Sequence, residues 1–311
     1  MNVLSTEFNS LTEVLEKAEA EAKNLPKPKL AVVKPDDPQI IHGVNLAYEH
    51  GLIEPVLIGD KKTILSTLSK LSLKEKDFNI IHTPSEKEAI ILASDYVVNG
   101  KTDVLIPGRF DVPKFFKILF SDECNFRRRG DFLSSVGVME HKHYSGLLLL
   151  SDIGLIPNPT VDQGIRIINN VVEVAHILGK KTVRVGILAF EDAPIPQSPT
   201  SIAESVIMEF FTEEKDPSVI VEGPMRLDMA LKPDAIPCIP TEGIEQGVAD
   251  VLIANNIHAG NSMYKAMITL CNASSASVVI GGRCPIALPS GSESPENILN
   301  SIALSVLIHY S

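Results

Sequence analysis

What constrains this chain most is an alternation: short, β-branched apolar runs, each followed by a stretch of helical periodicity. "KLAVVKP", "PVLIGD", "NIIHTP" and "DVLIPG" in the first half read as buried strands, as do "GLLLLSD", "VRVGILAF", "SVIVEGP", "ADVLIAN" and "SVVIGG" in the second. Helix starts lie between them. Ser10 with Glu13, and Ser85 with Glu88, have the spacing of a capping box, and Thr160 with Gln163 opens "GIRIINNVVEVAHILG". "DPQIIHGVNLAYEHG" closes at Gly51. Strands joined by helical crossovers build parallel sheets with helices on both faces. The predicted class is α/β, doubly wound, with mainly parallel sheets.

At 311 residues the chain exceeds a usual single core, and its strands exceed what one doubly wound sheet carries. Two domains are expected, divided near Val136 to Gly146, where strand-like segments meet without a helix between them. Ligands of open parallel sheets sit at the carboxyl ends of strands. "IPGRF", "LLSDIGL", "LAFEDAP", "VEGPM", "ANNIHAGN" and "GGRCP" are therefore the stretches to search, and a cleft between domains is the expected site.

A formal net charge of −11 argues against a nucleic-acid partner and against anionic membrane surfaces. The amino end carries polar and acidic residues where a secretory signal needs an apolar core, and no apolar run reaches the ~18 residues of a membrane span. Cys124, Cys238, Cys271 and Cys284 form no CxxC pair, so they read as free thiols of a reducing cytoplasm. No Walker loop, GxGxxG or GxSxG is present. His141 and His143 have no carboxylate or cysteine in register, and no metal site is expected.

Three stretches point to anion chemistry. "IHAGNSMYKA" opens a helix at Gly260-Asn261-Ser262, whose amides and side chains can hold a phosphate with Lys265 one turn on, or simply cap the helix. Arg127-Arg128-Arg129 is a basic cluster, either a solvated turn or an anion contact. "GGRCPIALPSGSESPEN" places a basic residue and a small hydroxyl loop ahead of a helix beginning near Pro295.

"GLLLLSD", "EGPMRLDMAL", "GVADVLIANNI", "AGNSMYKA" and "CPIALPS…SIALS", in that order along the chain, resemble the phosphate acetyl/butyryl transferases. The resemblance implies two α/β domains around a cleft, in the manner of isocitrate and isopropylmalate dehydrogenases. The first domain would comprise residues 1–143 plus 288–311, with the last helix returning to it. Residues 144–287 would form the second domain and the homodimer contact. The implied reaction converts a short-chain acyl-CoA and inorganic phosphate to acyl phosphate and CoA, reversibly and in the cytoplasm, with no tightly bound cofactor.

By the same resemblance Ser290 meets the CoA thiol, with Gly291 and Ser292 beside it, and Gly260, Asn261, Ser262 and Lys265 face the CoA tail. Two departures stand out. Family members typically follow the serine with a phosphate-neutralising arginine, where this chain has Gly291. The acetyl branch carries an acidic base candidate seven positions on, where this chain has Asn297 beside Glu296. Arg109 or Arg283 is expected to restore the missing charge, Arg283 being the sharper expectation. A non-catalytic CoA- or acyl-phosphate-binding protein on the same scaffold is the alternative. A metal-dependent dehydrogenase would need an aspartate cluster that the strand ends do not supply.

Overall fold

Strand β1 (Lys29–Val33) is apolar and buried beyond its first residue, as a strand between two parallel neighbours must be. Val32 pairs with Leu57 of β2 (Glu54–Gly59) on one side and Ile106 of β4 (Val104–Pro107) on the other. The structure is a computed structural model describing residues 7–191, 199–214, 216–232, 249–291 and 293–311. It divides into two compact units, Leu11–Leu133 with Ser275–Ser311, and Met1–Ser10 with Ser134–Ser274. The expected crossings lay at 143/144 and 287/288.

The unit of Leu11–Leu133 with Ser275–Ser311 holds α1 (Leu11–Asn24), β1, α2 (Pro38–Glu49), β2, α3 (Lys61–Lys70), β3 (Asn79–His82), α4 (Glu86–Val98), β4 and α5 (Val112–Leu119). The order β3-β2-β1-β4 continues through β11 (Ile286–Ala287) to β10 (Ser274–Ile280). Right-handed crossovers place the helices. From β1 to β3 the chain moves one way across the sheet, which keeps α2 and α3 on one face. It then reverses to reach β4, which puts α4 on the other. Helices α1 and α2 pack against α10 (Pro295–Tyr310), and α4 packs against α5.

Helix α10 is apolar on nearly all sides and buries Ile298, Leu299, Ile302, Leu304, Val306 and Leu307. Each such side chain contributes roughly 1.5–3 kcal/mol. Its approach to α2 requires a glycine: a Cβ on Gly43 would lie 2.4 Å from Ile298 Cγ2.

The expectation that "GGRCP" ends a parallel strand is corrected. Strand β10 runs antiparallel to β11. Only residues 281–285 separate them, too few for the dozen or more residues a parallel crossover needs.

The other unit pairs β5 (Ser134–Glu140) antiparallel with β6 (Leu147–Ser151), the helix-free junction of the sequence. Parallel neighbours follow: β9 (Val251–Ile253), β7 (Val183–Leu188) and β8 (Val219–Met225). Its helices are α6 (Val161–Ile177), α7 (Pro199–Glu214), α8 (Leu227–Leu231) and α9 (Ile257–Thr269). The Thr160–Gln163 capping box forms in full, with Thr160 N–H donating to Gln163 Oε1 at 3.0 Å.

Candidate active site

Strands β1, β4 and β11 are parallel, so the segments that follow them meet at one end of the sheet. The chain winds outward from β1 through β3 and returns to β4 on the far side of β1, so the switch point lies between β1 and β4. A pocket opens there, lined by Asp37, Pro107, Arg109, Phe110, Leu288, Pro289 and Gly291 among others. Arg109 and the loop of Ser290 thus share one pocket.

Local structure leaves Arg109 as the pocket's available cation. Asp111, two residues on, caps α5 by accepting from Lys114 N–H at 2.9 Å. Asp37 caps α2 through Gln39 N–H at 2.8 Å. The exposed Arg109 guanidinium makes no ion pair or hydrogen bond among the described residues, while its carbonyl accepts from Lys34 Nζ at 3.1 Å. Lys34 is the contrast. Its ammonium pairs with Glu86, lies 3.6 Å from Asp36 Oδ2 and sits 5.1 Å from the Phe110 ring centre. Hydrogen bonds from Lys34 and Lys114 in turn hold the Glu86 carboxyl below the usual range.

Ser290 sits in a turn closed on Glu293. Its N–H donates to Glu293 Oε1 at 2.7 Å, and Glu293 N–H donates back to the Ser290 carbonyl at 3.0 Å. Glu293 is 4% exposed, and its second oxygen accepts from Ser275 Oγ at 3.3 Å. Ser294 then caps α10 through Asn297 N–H. Asn297 is itself buried, its Oδ1 accepting Ser275 N–H at 3.1 Å. The position of the expected base is therefore spent on anchoring β10. Glu296 lies in the first turn of α10, its carboxyl held low by the backbone amide and Ser294. Ser292 lies outside the described residues.

Arg283 is not brought to this loop. It precedes β11, at the opposite end of the sheet from the segment after β4, and its Nε donates to the Asn125 carbonyl at 3.0 Å. Arg128 joins it there, donating to the Gly282 carbonyl at 3.0 Å and pairing with Asp131. The expectation that Arg283 lies beside Ser290 fails because the β10–β11 hairpin reverses the chain before β11 carries it back.

In the other unit the Gly260-Asn261-Ser262 amides do not open a helix. Asn256 does, its side chain accepting Ala259 N–H at 3.0 Å, and Gly260 N–H is already bonded to the Asn256 carbonyl at 3.1 Å. The phosphate-binding reading of these amides is thereby corrected. Gly260 is required by close approach, since a Cβ there would lie 2.2 Å from the Asp152 carbonyl oxygen. Asn261 donates to the Ile153 carbonyl at 2.8 Å, while Ser262 and Lys265 lie exposed on α9. Buried Asp152 accepts from Ser135 N–H and Oγ at 2.8 and 2.6 Å, and from Gly154 and Leu155 N–H at 2.8 and 2.7 Å. This joint fixes α9 to the segment after β6.

Glu204 of α7 is buried, and among the described residues neither carboxylate oxygen has a hydrogen-bond partner. Burial pushes its pKa up to about 7, and the side chain of Asn255 offsets only part of that rise.

Comparison with known proteins fixes the context. The family model described as phosphate acetyl/butaryl transferase matches residues 85–306. The chain belongs to this family. A phosphate acetyltransferase of Thermotoga maritima is 32% identical over 279 residues, 90% of this chain and 94% of that one. A phosphate butyryltransferase of Clostridium acetobutylicum is 29% identical over 280 residues, 90% and 93% of the two chains. In three dimensions, a branched-chain phosphotransacylase from Enterococcus faecalis V583 is similar at a TM-score of 0.79. It is 22% identical and covers 91% of this chain and 99% of its own.

Within the family frame, sequence reasoning missed Lys34, Asp152, Glu204 and Glu293. Glu293 carried a signal, because Ser290-Gly-Ser-Glu293 has capping-box spacing just ahead of α10. Asp152 closes an apolar run, but nothing in its neighbourhood announces so many donors. Glu204 reads as an ordinary helix-surface glutamate.

Proposed function

We propose that the protein transfers a short-chain acyl group, acetyl or butyryl, between CoA and inorganic phosphate. The observation carrying this is the Arg109 guanidinium, without an ion pair or hydrogen bond among the described residues, on the pocket that the Ser290 loop lines. Arginine holds phosphate in a planar fork that glycine or lysine cannot copy. A phosphate oxygen attacks the thioester carbonyl carbon and forms the new C–O bond. The tetrahedral intermediate then collapses, breaking the C–S bond and expelling the CoA thiolate with its electron pair. Arg109 orients the anionic nucleophile, and the Ser290 hydroxyl donates a hydrogen bond to the departing sulfur. Exposed Ser262 and Lys265 are the α9 groups offered to the CoA tail.

The same reading takes the protein as a cytoplasmic homodimer that needs no tightly bound cofactor, with residues 144–287 supplying the dimer contact. Among the described residues no helix is long and apolar enough to cross a membrane. The test is release of free thiol from acetyl- or butyryl-CoA with and without phosphate. Phosphate-dependent thiol supports the reading. CoA binding without turnover would select the non-catalytic alternative.

A further inference from the structure

We propose that Glu293 is a positioning residue for Ser290, its buried carboxylate fixing where the serine hydroxyl meets the CoA thiol; this rests on the role of Ser290 proposed above. A carboxylate that is 4% exposed in a loop is costly unless its oxygens are hydrogen-bonded. Here both are, and the choice of donors is informative. One oxygen takes Ser290 N–H at 2.7 Å, and the other takes the Ser275 hydroxyl at 3.3 Å.

The carboxylate is not needed to begin α10, because Ser294 caps that helix. Nor does it only tie the loop to β10, because Asn297 already holds Ser275 N–H at 3.1 Å. What Glu293 adds is the Ser290 backbone, gripped at both its N–H and its carbonyl. The Ser290 loop is thereby referenced to a strand and a helix, the rigid support that a group facing a reaction needs. A second consequence follows. Ser290 N–H is engaged inward, so it is not a donor to the oxyanion of the intermediate, and Ser290 acts through its side chain.

Geometry and charge are separable here, because glutamine keeps an acceptor for Ser290 N–H and loses the charge. Glu293→Ala and Glu293→Gln are compared with wild type for kcat, for phosphate and acyl-CoA KM, and for the pH profile of kcat. Misplacement of a positioned group by about 1 Å can cost on the order of 100-fold. Glu293→Ala is therefore expected to lose kcat by roughly 10- to 100-fold, with phosphate KM changed less than about twofold. Glu293→Gln is expected to restore most of that loss, with an unaltered pH profile.

An alanine variant with wild-type kcat overturns the proposal. So does a well-folded glutamine variant as impaired as alanine, which would assign the effect to charge. Should Glu293→Ala fail to fold, Ser275→Ala decides: it removes one donor to the carboxylate but keeps the Asn297 anchor. A several-fold fall in kcat at unchanged Tm supports the proposal, and no fall overturns it. If wild type itself releases no phosphate-dependent thiol, the functional reading fails and this inference falls with it. If wild type turns over and Glu293→Ala matches it, the inference fails alone.

Discussion

The two units carry family-like motifs at the ends of their strands and use them in opposite ways. In Ser134–Ser274, Asp152, Ser135, Gly260 and Asn261 interlock. Their polar groups are spent on backbone, and the result is a joint between α9 and the segment after β6. In the other unit the carboxylates near Arg109 are drawn off to cap α2 and α5, leaving a guanidinium facing a pocket. The lesson concerns motifs generally. Whether one marks a joint or a site depends on whether its hydrogen-bonding capacity is already consumed within the fold.

The comparison breaks most forcefully at the joint. Asp152→Ala strands the buried Ser135 amide and the half-buried Gly154 and Leu155 amides, and a buried donor left without a partner costs about 1–3 kcal/mol. A total of about 4 kcal/mol is expected in chemical denaturation, against at most a minor change for a substitution at Arg109. If Asp152→Ala melts like wild type but loses turnover, the joint is a site after all.

Glu204 gives the next effect, through pH. An acid whose folded pKa of about 7 exceeds its ordinary value of 4.5 binds its proton more tightly when folded. Its contribution to stability is therefore fully present below about 4.5 and is lost as pH rises towards 7. Relative to Glu204→Gln, wild type should lose up to about 3 kcal/mol across that window and then level off. Denaturation midpoints at pH 4.5, 6 and 8 measure it, and parallel curves for the two proteins would refute it.

Arg109→Ala sharpens the other half. Loss of a charge-assisted contact to phosphate should cost about 2 kcal/mol in apparent phosphate affinity, with Tm nearly constant. Arg283→Ala, at the opposite end of the sheet, should leave phosphate saturation as it is. The reverse pattern would return the role to Arg283. Smallest is Gly291→Arg. A Cβ at Gly291 meets nothing within 4 Å, so the arginine typical of the family can start there without a backbone clash. Phosphate half-saturation should fall by about fivefold, roughly 1 kcal/mol, with unfolding free energy within about 0.5 kcal/mol. No change would mean that the pocket holds phosphate where residue 291 cannot reach.

Much of this architecture was legible because it follows from local chemistry. Periodicity located β1 to β4 with the helices between them, and Thr160 with Gln163 marked the start of α6. Arg109 was legible as a strand-end cation, and Ser290 through resemblance. The direction of β10 was not, since an apolar run has the same composition whichever way it crosses a sheet. That one reversal moved Arg283 across the sheet. The Gly260 amides were misread because Asn256 and Asn261, three and eight residues past the end of β9, are both plausible caps, and packing against Asp152 chose the earlier one. The spacing of Glu293 from Ser290 was legible, but its other partner, Ser275, lies across the β10–β11 hairpin and needed three-dimensional closure.

The return of α10 to the unit begun by α1 has a consequence for the order of synthesis. As the chain leaves the ribosome, β1 to β4 emerge with one apolar face still lacking the helix that packs on α1 and α2. That face stays uncovered while all of Ser134–Ser274 is translated, an interval in which exposed apolar surface invites association with other chains. The unit that carries the proposed chemistry thus begins early and closes last, so a nascent chain stalled short of Pro295 would hold an unfinished active half although Ser134–Ser274 is already translated in full.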